Sequence, residues 1–466
     1  MTAFFGGSKQ YSDKYGPSHP QQKAINKGII DDLIIKCNMP ISIVENEHFR
    51  HFLSILDHKY TPMARTTVSH ALDKKVEEVK KTLLDRLCTV KTVNLTIDIW
   101  SDRRMRAFLG ITAHYMSASS ELQSSLLSCE RFTGSHTGER IAGEIDTVLN
   151  YYQLRQKIDF VVTDNAANMR KAMTVAFTEV EPEDQENDCS FDVDDPDVWN
   201  TIEDEDTSEV NGVIESHCRR ERLSCFDHTL HLTVGDGLKE SRCASAAIAK
   251  ASKLASMLHT SSLFRDAFEN CFGKNKGIPA AVSTRWNSTM RQIKSILDLD
   301  FKMLSDMLEA QGLKNLVFSM REWSQLGELV DILEPFLEAT TLTEGDKVVT
   351  LSFALPSVVA LIRHLRELQQ SQRVKVCSPI CKALLTSLNQ RFEGMLRRIH
   401  LINTRQGEQD DSVTDSVLPY GADIYVIATF FDIRFRLMWI DDLPLTTAEK
   451  QLLRQQVIGN YTSTIV

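Results

Sequence analysis

The sequence predicts an α/β core interrupted by a large all-α insertion and preceded by a small N-terminal helical domain. Three observations carry this expectation. Four apolar, β-branched runs, Val93 to Trp100, Ala107 to Met116, Leu122 to Phe132 and Ile158 to Asp164, read as strands bounded by turn-formers. A helix-period stretch from Gly138 to Tyr152 separates the last two, and another runs from Asn168 to Phe177. From Ala244 to Gln370 the apolar spacing is helical in long segments, and three amphipathic segments precede the first strand.

Taken in order, residues 1–20 read as a linker or tail rich in Gly, Ser and Pro. Residues 21–90 form the helical module. Its first helix carries Ile25, Ile29, Ile30, Leu33 and Ile34. Ser42 to Glu45 has the form of a capping box for a second, with Val44, Phe49, Phe52, Leu53 and Leu56. Thr61 and Pro62 start a third, whose stripe runs from Val68 to Leu84. Residues 91–178 are the first part of the core. Three strands, a helix, a strand and another helix is the opening order of a ribonuclease-H-like fold, in which carboxylates on adjacent strands hold two divalent metals. Asp98 and Asp164 end the first and fourth strand runs. A strand-end aspartate is costly to bury unpaired, so two of them suggest a shared cation, Mg2+ or Mn2+. The alternative is that Asp164 caps the helix that follows.

Residues 179–222 are expected to be an acidic, disordered insertion. Between 179 and 215 lie 16 Asp and Glu and no Lys or Arg, with Phe191, Val193, Val198, Trp199 and Ile202 among them. Such a segment is a surface loop or a peptide that binds a protein partner. The whole chain carries a formal charge of −10, but outside that stretch 53 basic residues face 47 acidic ones, a balance of +6. A moderately basic body is compatible with phosphate binding. The ten cysteines include no Cys-x-x-Cys pair, which argues against a disulfide framework or a zinc ribbon. No apolar run reaches membrane-spanning length, and Met1 to Gly7 is too short for a secretory leader, so no membrane partner is expected. Neither GxxxxGK nor GxGxxG occurs, which leaves nucleotide hydrolysis and dinucleotide chemistry without a site.

Residues 223–420 are assigned to the helical insertion and 421–466 to the start of a C-terminal region. Cys225, His228 and His231 recur every three residues, so one helical face can present all three, either as zinc ligands or as a packed polar helix. Arg285 beside Trp286 suggests a cation that grips a DNA backbone and an indole that fills the space of an extruded base. The plainer alternative makes Trp286 a core anchor with Arg285 as its surface neighbour.

Several of these stretches resemble one family. TIDIWSD at 96–102 and VTDNAANM at 162–169 look like the first two acidic motifs of hAT-superfamily transposases, and the likeness extends to vertebrate BED-type zinc-finger proteins derived from them. CFDHTLHL at 225–232 is similar to the family's Cys-x-x-His motif, STRWNS at 283–288 to its Thr-Arg-Trp-Asn-Ser block, and ATFFDIRF at 428–435 to its Leu-Asp-Pro-Arg block, with Ile433 where proline is usual. FFGGSKQYSDKYGPSHP at 4–20 resembles the segment that follows the BED finger, and the finger itself is not found in this chain. The resemblance implies that Asp98 and Asp164 are the vestigial catalytic and metal-binding acids, that Cys225 and His228 support them without zinc, and that Arg285 and Trp286 contact DNA. It implies a nuclear protein, DNA as partner, and assembly with like or unlike chains. The family's third acid and its dimerisation signature are not found between Asp432 and Val466. The first functional expectation is therefore a catalytically silent, transposase-derived protein that binds DNA or protein in transcription regulation. An active metal-dependent strand transferase and a scaffold that binds only protein are the alternatives.

Overall fold

The computed structural model describes residues 14–102, 104–177, 221–240, 244–280, 286–345, 348–371, 373–402 and 418–462. The acidic stretch 179–215 and Arg285 lie outside them. Two compact units divide the chain, Met1–Val90 and Lys91–Val466.

In the first unit, α1 (Pro20–Gly28) starts on a proline whose fixed φ suits a first helical turn, and the His19 ring accepts from the Gln21 N–H. It runs on as a π-helical segment, Ile29–Lys36. Ile41–Glu45 closes as a 3-10 turn, so α2 (Glu47–Leu56) begins later than the Ser42 capping box suggested. Asn46 is the cap, its side chain accepting from Phe49 N–H at 3.0 Å. The third helix, α3, spans Arg65–Cys88. Ile29, Ile34, Val44, Leu53, Tyr60, Met63 and Val68 form the core of this unit. Gln22 pins α1 to the segment before α3 with a two-way amide pair to Thr61, at 2.7 and 3.1 Å.

The second unit contains a five-stranded mixed sheet in the order β3-β2-β1-β4-β5. Its strands are β1 (Val93–Ser101), β2 (Ala107–Met116), β3 (Leu122–Arg131), β4 (Ile158–Thr163) and β5 (Glu221–Ser224). The three N-terminal strands pair antiparallel, while β4 lies parallel to both β1 and β5. Alternation does what the sequence predicted: Val93, Leu95 and Ile97 are buried on one face, and Asn94, Thr96 and Asp98 point to the other. Helices α4 (Gly138–Tyr151) and α5 (Ala167–Phe177) lie side by side. Gly138 is needed there, since a Cβ would stand 2.8 Å from the Lys171 stem. Tyr152, just after α4, reaches the Leu127 carbonyl of β3.

β5 corrects the sequence reading. Glu221 and Arg222 were assigned to the acidic insertion, and Leu223 and Ser224 to a helix. Instead all four residues pair with β4 from Phe160↔Glu221 to Thr163↔Ser224. Four residues are too few to display alternation, and the carbonyl edge of a parallel partner supplies what local pattern does not.

From Phe226 onward the described elements are helical: α6 (Phe226–Lys239), α7 (Ser245–Thr260), α8 (Ser262–Phe272), α9 (Trp286–Leu297), α10 (Phe301–Ala310), α11 (Met320–Thr343), α12 (Ala354–Ser371), α13 (Ser378–Arg391), α14 (Glu393–Arg398), α15 (Ile424–Phe431) and α16 (Thr447–Thr462). They share one hydrophobic core, which also takes in Leu223 and has Phe160 and Val162 of the sheet packed against it. The face of the sheet that carries Asp98 is therefore the face on which the helices close. No helix among the described residues is long and apolar enough to cross a membrane.

Candidate functional site

Parallel pairing aligns the two acids. Leu95 faces Val161 and Thr96 faces Val162 across β1 and β4. Carrying that register on by two residues brings Asp98 level with Asp164, on the same face. Asp98 is exposed and Asp164 half-buried. One Asp164 oxygen accepts from the Ala166 N–H at 3.2 Å, in the turn that leads into α5. That bond closes a two-residue turn before α5 and does not reach the N–H groups of the helix's own first turn, so it is not the helix cap considered as the alternative. Beside Asp98, Gly110 is its cross-strand partner, and Trp100 lies against that glycine. Further down the face, His114 joins Thr96 and Ser124 at 3.0 and 2.9 Å.

Cys225 and His228 reach the acids from the other side. Cys225 is the N-cap residue of α6, and its N–H donates to the Thr163 carbonyl at 2.7 Å, continuing the β4–β5 ladder into the helix start. Because Cys225 precedes the helix, it does not share a helical face with His228 and His231. Burial pushes the Cys225 thiol up to about 11, with Asp98 among the charges that add to the rise. Burial likewise holds His228 below its usual value, against the pull of Asp164 and Asp98 and with Arg391 and Arg222 opposing protonation. The structure thus gathers Asp98, Asp164, Cys225 and His228 into one electrostatic neighbourhood.

Trp286 is elsewhere. It is 8% exposed, at the start of α9 within the helical core. Its indole is an anchor there and is not open to a base, which corrects the stacking role expected of it. A tryptophan whose apolar body has a helical core within reach gains more from burial than from solvent exposure.

Two residues at the site carry no signal in the sequence. Arg222 of β5 donates through Nε to Thr163 Oγ1 at 2.8 Å, and through its terminal nitrogen to the Asp164 carbonyl and to Asn165 Oδ1. Tyr420, buried and at positive φ, donates to Thr229 Oγ1 at 2.7 Å, with the Cys225 carbonyl 3.1 Å away. It ties the far end of the helical region to the first turn of α6. A lone arginine in a short polar segment and a tyrosine some 190 residues from its partner leave no local pattern.

Residues 96–187 match the ZBED1 RNase-like domain. A Zea mays protein named for the AC transposase is 26% identical over 318 residues, 67% of this chain and 36% of its own length. The Talaromyces stipitatus protein tpeD, whose name describes a transcriptional regulator, is 25% identical over 342 residues, 72% of this chain and 39% of its own. The human zinc finger BED domain-containing protein 4 is 20% identical over 472 residues, 97% of this chain and 34% of its own. The chain is similar to hAT transposases and their BED-type derivatives. It spans between about a third and two fifths of the length of these relatives.

A ribonuclease-like core of the hAT type implies divalent metal at the acid pair. Among the described residues, no group of three or more His, Cys, Asp or Glu side chains is placed to hold a metal ion. Asp98 and Asp164 bring two carboxylates to neighbouring strands, His228 stays within electrostatic but not shared-ligand reach, and Arg222 adds a fixed positive charge. A two-metal clamp needs several anionic ligands around each ion. The described residues do not fit one.

Proposed function

We propose that this chain is a nuclear, transposase-derived protein that acts by binding DNA, protein partners or both in transcription regulation, and that it neither cuts nor joins DNA. The observation that carries the reading is the parallel pairing of β1 with β4, whose register sets Asp98 within β1 beside Asp164 just past the end of β4, with Cys225 and His228 close by. That arrangement supports descent from a phosphoryl-transfer core. The arginine beside the acids and the small number of carboxylates near them support loss of the chemistry, because phosphoryl transfer on such a sheet depends on positioned metal charge. Likeness to tpeD and to the BED-type protein supports a regulatory role.

In this reading, residues 21–90 are a helical module and the helices from 226 to 420 are an insertion within the ribonuclease-like core. Asp98 and Asp164 are the vestigial acids, Cys225 and His228 their supports, and Trp286 holds the helical core beside Arg285. The acidic stretch 179–215 meets protein partners and competes with DNA for the basic body. The chain works in the nucleus, alone or assembled with like or unlike chains.

Two measurements test this. Binding to duplex and single-stranded DNA at two salt concentrations should show affinity that falls with salt. Supercoiled plasmid incubated with Mn2+ should stay uncut by wild type, Asp98→Asn and Asp164→Asn alike. Nicking by wild type that both substitutions abolish would establish an active strand transferase instead.

A further inference from the structure

Trp286 is closed to a base, and a different indole is open to one. Along β1 and the turn that leaves it, Asp98, Trp100 and Asp102 follow one another at period 2. Across the ladder they meet Gly110, Phe108 and Arg106. These six residues therefore share one face of the sheet. Gly110 leaves the space beside Asp98 unfilled, and the six-membered ring of Trp100 lies there: a Cβ would stand 2.6 and 2.9 Å from two of its atoms. The Phe108 ring is close to parallel with the indole, at 21° and with centroids 6.1 Å apart. The Arg106 guanidinium stands 5.9 Å from the Phe108 centroid. Tryptophan is among the more buried residue types on average, yet Trp100 is 41% exposed.

The turn beyond the aromatic pair is basic, with three arginines and one aspartate in residues 102–106. Asp102 is occupied within the turn. It accepts from Arg106 Nε at 2.7 Å and from the Arg104 and Arg106 N–H groups at 2.8 and 3.0 Å. The Arg104 side chain is exposed, and no carboxylate among the described residues pairs with it. The stripe is thus acidic at Asp98, aromatic in the middle and basic at the turn. A nucleobase is flat and neutral and its phosphate is anionic, so a nucleotide fits the stripe in one direction. Its base lies on the indole and its phosphate points to Arg104, away from Asp98. In a duplex the base faces are stacked on one another, so the complementary ligand has unpaired bases. We propose that the β1–β2 hairpin is a platform for single-stranded DNA, with Trp100 stacking on a base and Arg104 holding the phosphate beside it. This rests on the DNA-binding reading above, and adds which form of DNA is held and where.

The test is binding of fluorescein-labelled oligothymidylate to the full chain at two salt concentrations, with unlabelled duplex DNA and oligouridylate as competitors. Wild type is compared with Trp100→Ala, Trp100→Phe and Arg104→Gln. Trp100→Ala should bind oligothymidylate at least about fivefold more weakly, as the loss of one stacked base requires, with salt dependence and duplex affinity close to wild type. Trp100→Phe, which keeps a ring, should stay within about threefold of wild type. Arg104→Gln should weaken binding and lower the salt dependence by about one released ion. Unlabelled oligothymidylate should quench part of the tryptophan emission of wild type, and that part should be missing from Trp100→Phe. A folded Trp100→Ala that binds oligothymidylate like wild type, an equal loss for duplex, or tighter binding of oligouridylate overturns the proposal. Should Trp100→Ala fail to fold, the quenching decides, and emission quenched as fully in Trp100→Phe as in wild type overturns it. A wild type that binds no DNA removes the functional reading and this proposal together. One that binds duplex and not oligothymidylate removes this proposal alone.

Discussion

Asp227, one residue before His228, shows how much a single carboxyl can cost at this site. Its Oδ1 accepts from the Thr343 hydroxyl at the end of α11, and Glu344 stands next to that hydroxyl. Burial raises its pKa to about 6, against the Thr343 hydrogen bond, and Glu344 adds to the rise. A carboxyl whose folded pKa exceeds its unfolded value of about 3.9 favours the fold below that value, and the contribution is lost as pH rises through about 6. Asp227→Asn keeps the acceptor and removes the charge. It should raise stability at pH 8 by about 1 kcal/mol after allowance for solvent screening, with the advantage vanishing near pH 4. Urea midpoints at the two pH values check this, and a larger advantage in acid would refute it. Gly110→Ala probes the neighbourhood of Asp98. Its Cβ would stand 2.6 Å from the Trp100 ring, which is 41% exposed and free to swing outward. The expected result is a red-shifted tryptophan emission with a stability loss below about 1 kcal/mol; an unshifted spectrum would mean that the indole does not rest on that glycine. At this scale the sequence is legible where a residue ends a patterned run, as Asp98 and Asp164 do. It is silent on Arg222 and Tyr420, whose roles come from partners that only the tertiary fold brings near.

Elements meet here through small residues and buried polar links, and the two kinds of glycine contact predict different costs. On α6, Gly237 faces Leu384 of α13, where a Cβ would lie 2.5 Å from a fully buried side chain. Gly237→Ala forces that leucine aside and should cost about 1–3 kcal/mol. Gly394 of α14 faces the backbone of Gly421, with a Cβ position 2.5 Å from its Cα. A main chain yields less than a leucine, so Gly394→Ala should be the more damaging of the two in thermal melts. The reverse order would show that the 418–421 segment is easily displaced. The α6–α13 contact also carries Arg391, which donates to Asp236 at 2.9 Å with Ser387 beside it. Long, strongly patterned elements such as β2, α4 and the core helices were readable from apolar spacing. Those decided by competition between nearby options were not: Asn46 displaced Ser42 as a cap because the intervening turn is 3-10, and Trp286 went to the core because a core was within reach. β5 had no pattern to read, and its existence depends on the β4 edge.

Charge and chain order act on the molecule as a whole. The stretch 179–215 holds 16 acidic residues against a basic balance of +6 elsewhere. Deleting it should raise DNA affinity at low salt by several-fold and leave the thermal midpoint nearly unchanged, since few of its side chains are apolar. A large fall in midpoint would show that the stretch packs. The acidic stretch also falls between β4, which ends at Thr163, and β5, which opens at Glu221. A single cut there divides the site itself: the leading piece keeps Asp98 and Asp164, and the trailing piece keeps Arg222, Cys225, His228 and Tyr420. What rejoins them includes a four-residue parallel rung, the Cys225 N–H to Thr163 bond, the grip of Arg222 on the strand end and the packing of Phe160 and Val162 on the helical core. Alone, the leading fragment would present the open edge of β4, which invites association with other chains. Fragments 1–178 and 216–466 made in the same cell should therefore co-purify through a tag on either one, whereas the leading fragment made by itself should aggregate. The protein is, in effect, two complementary halves, and its acid pair meets Arg222, Cys225 and His228 only when both are present.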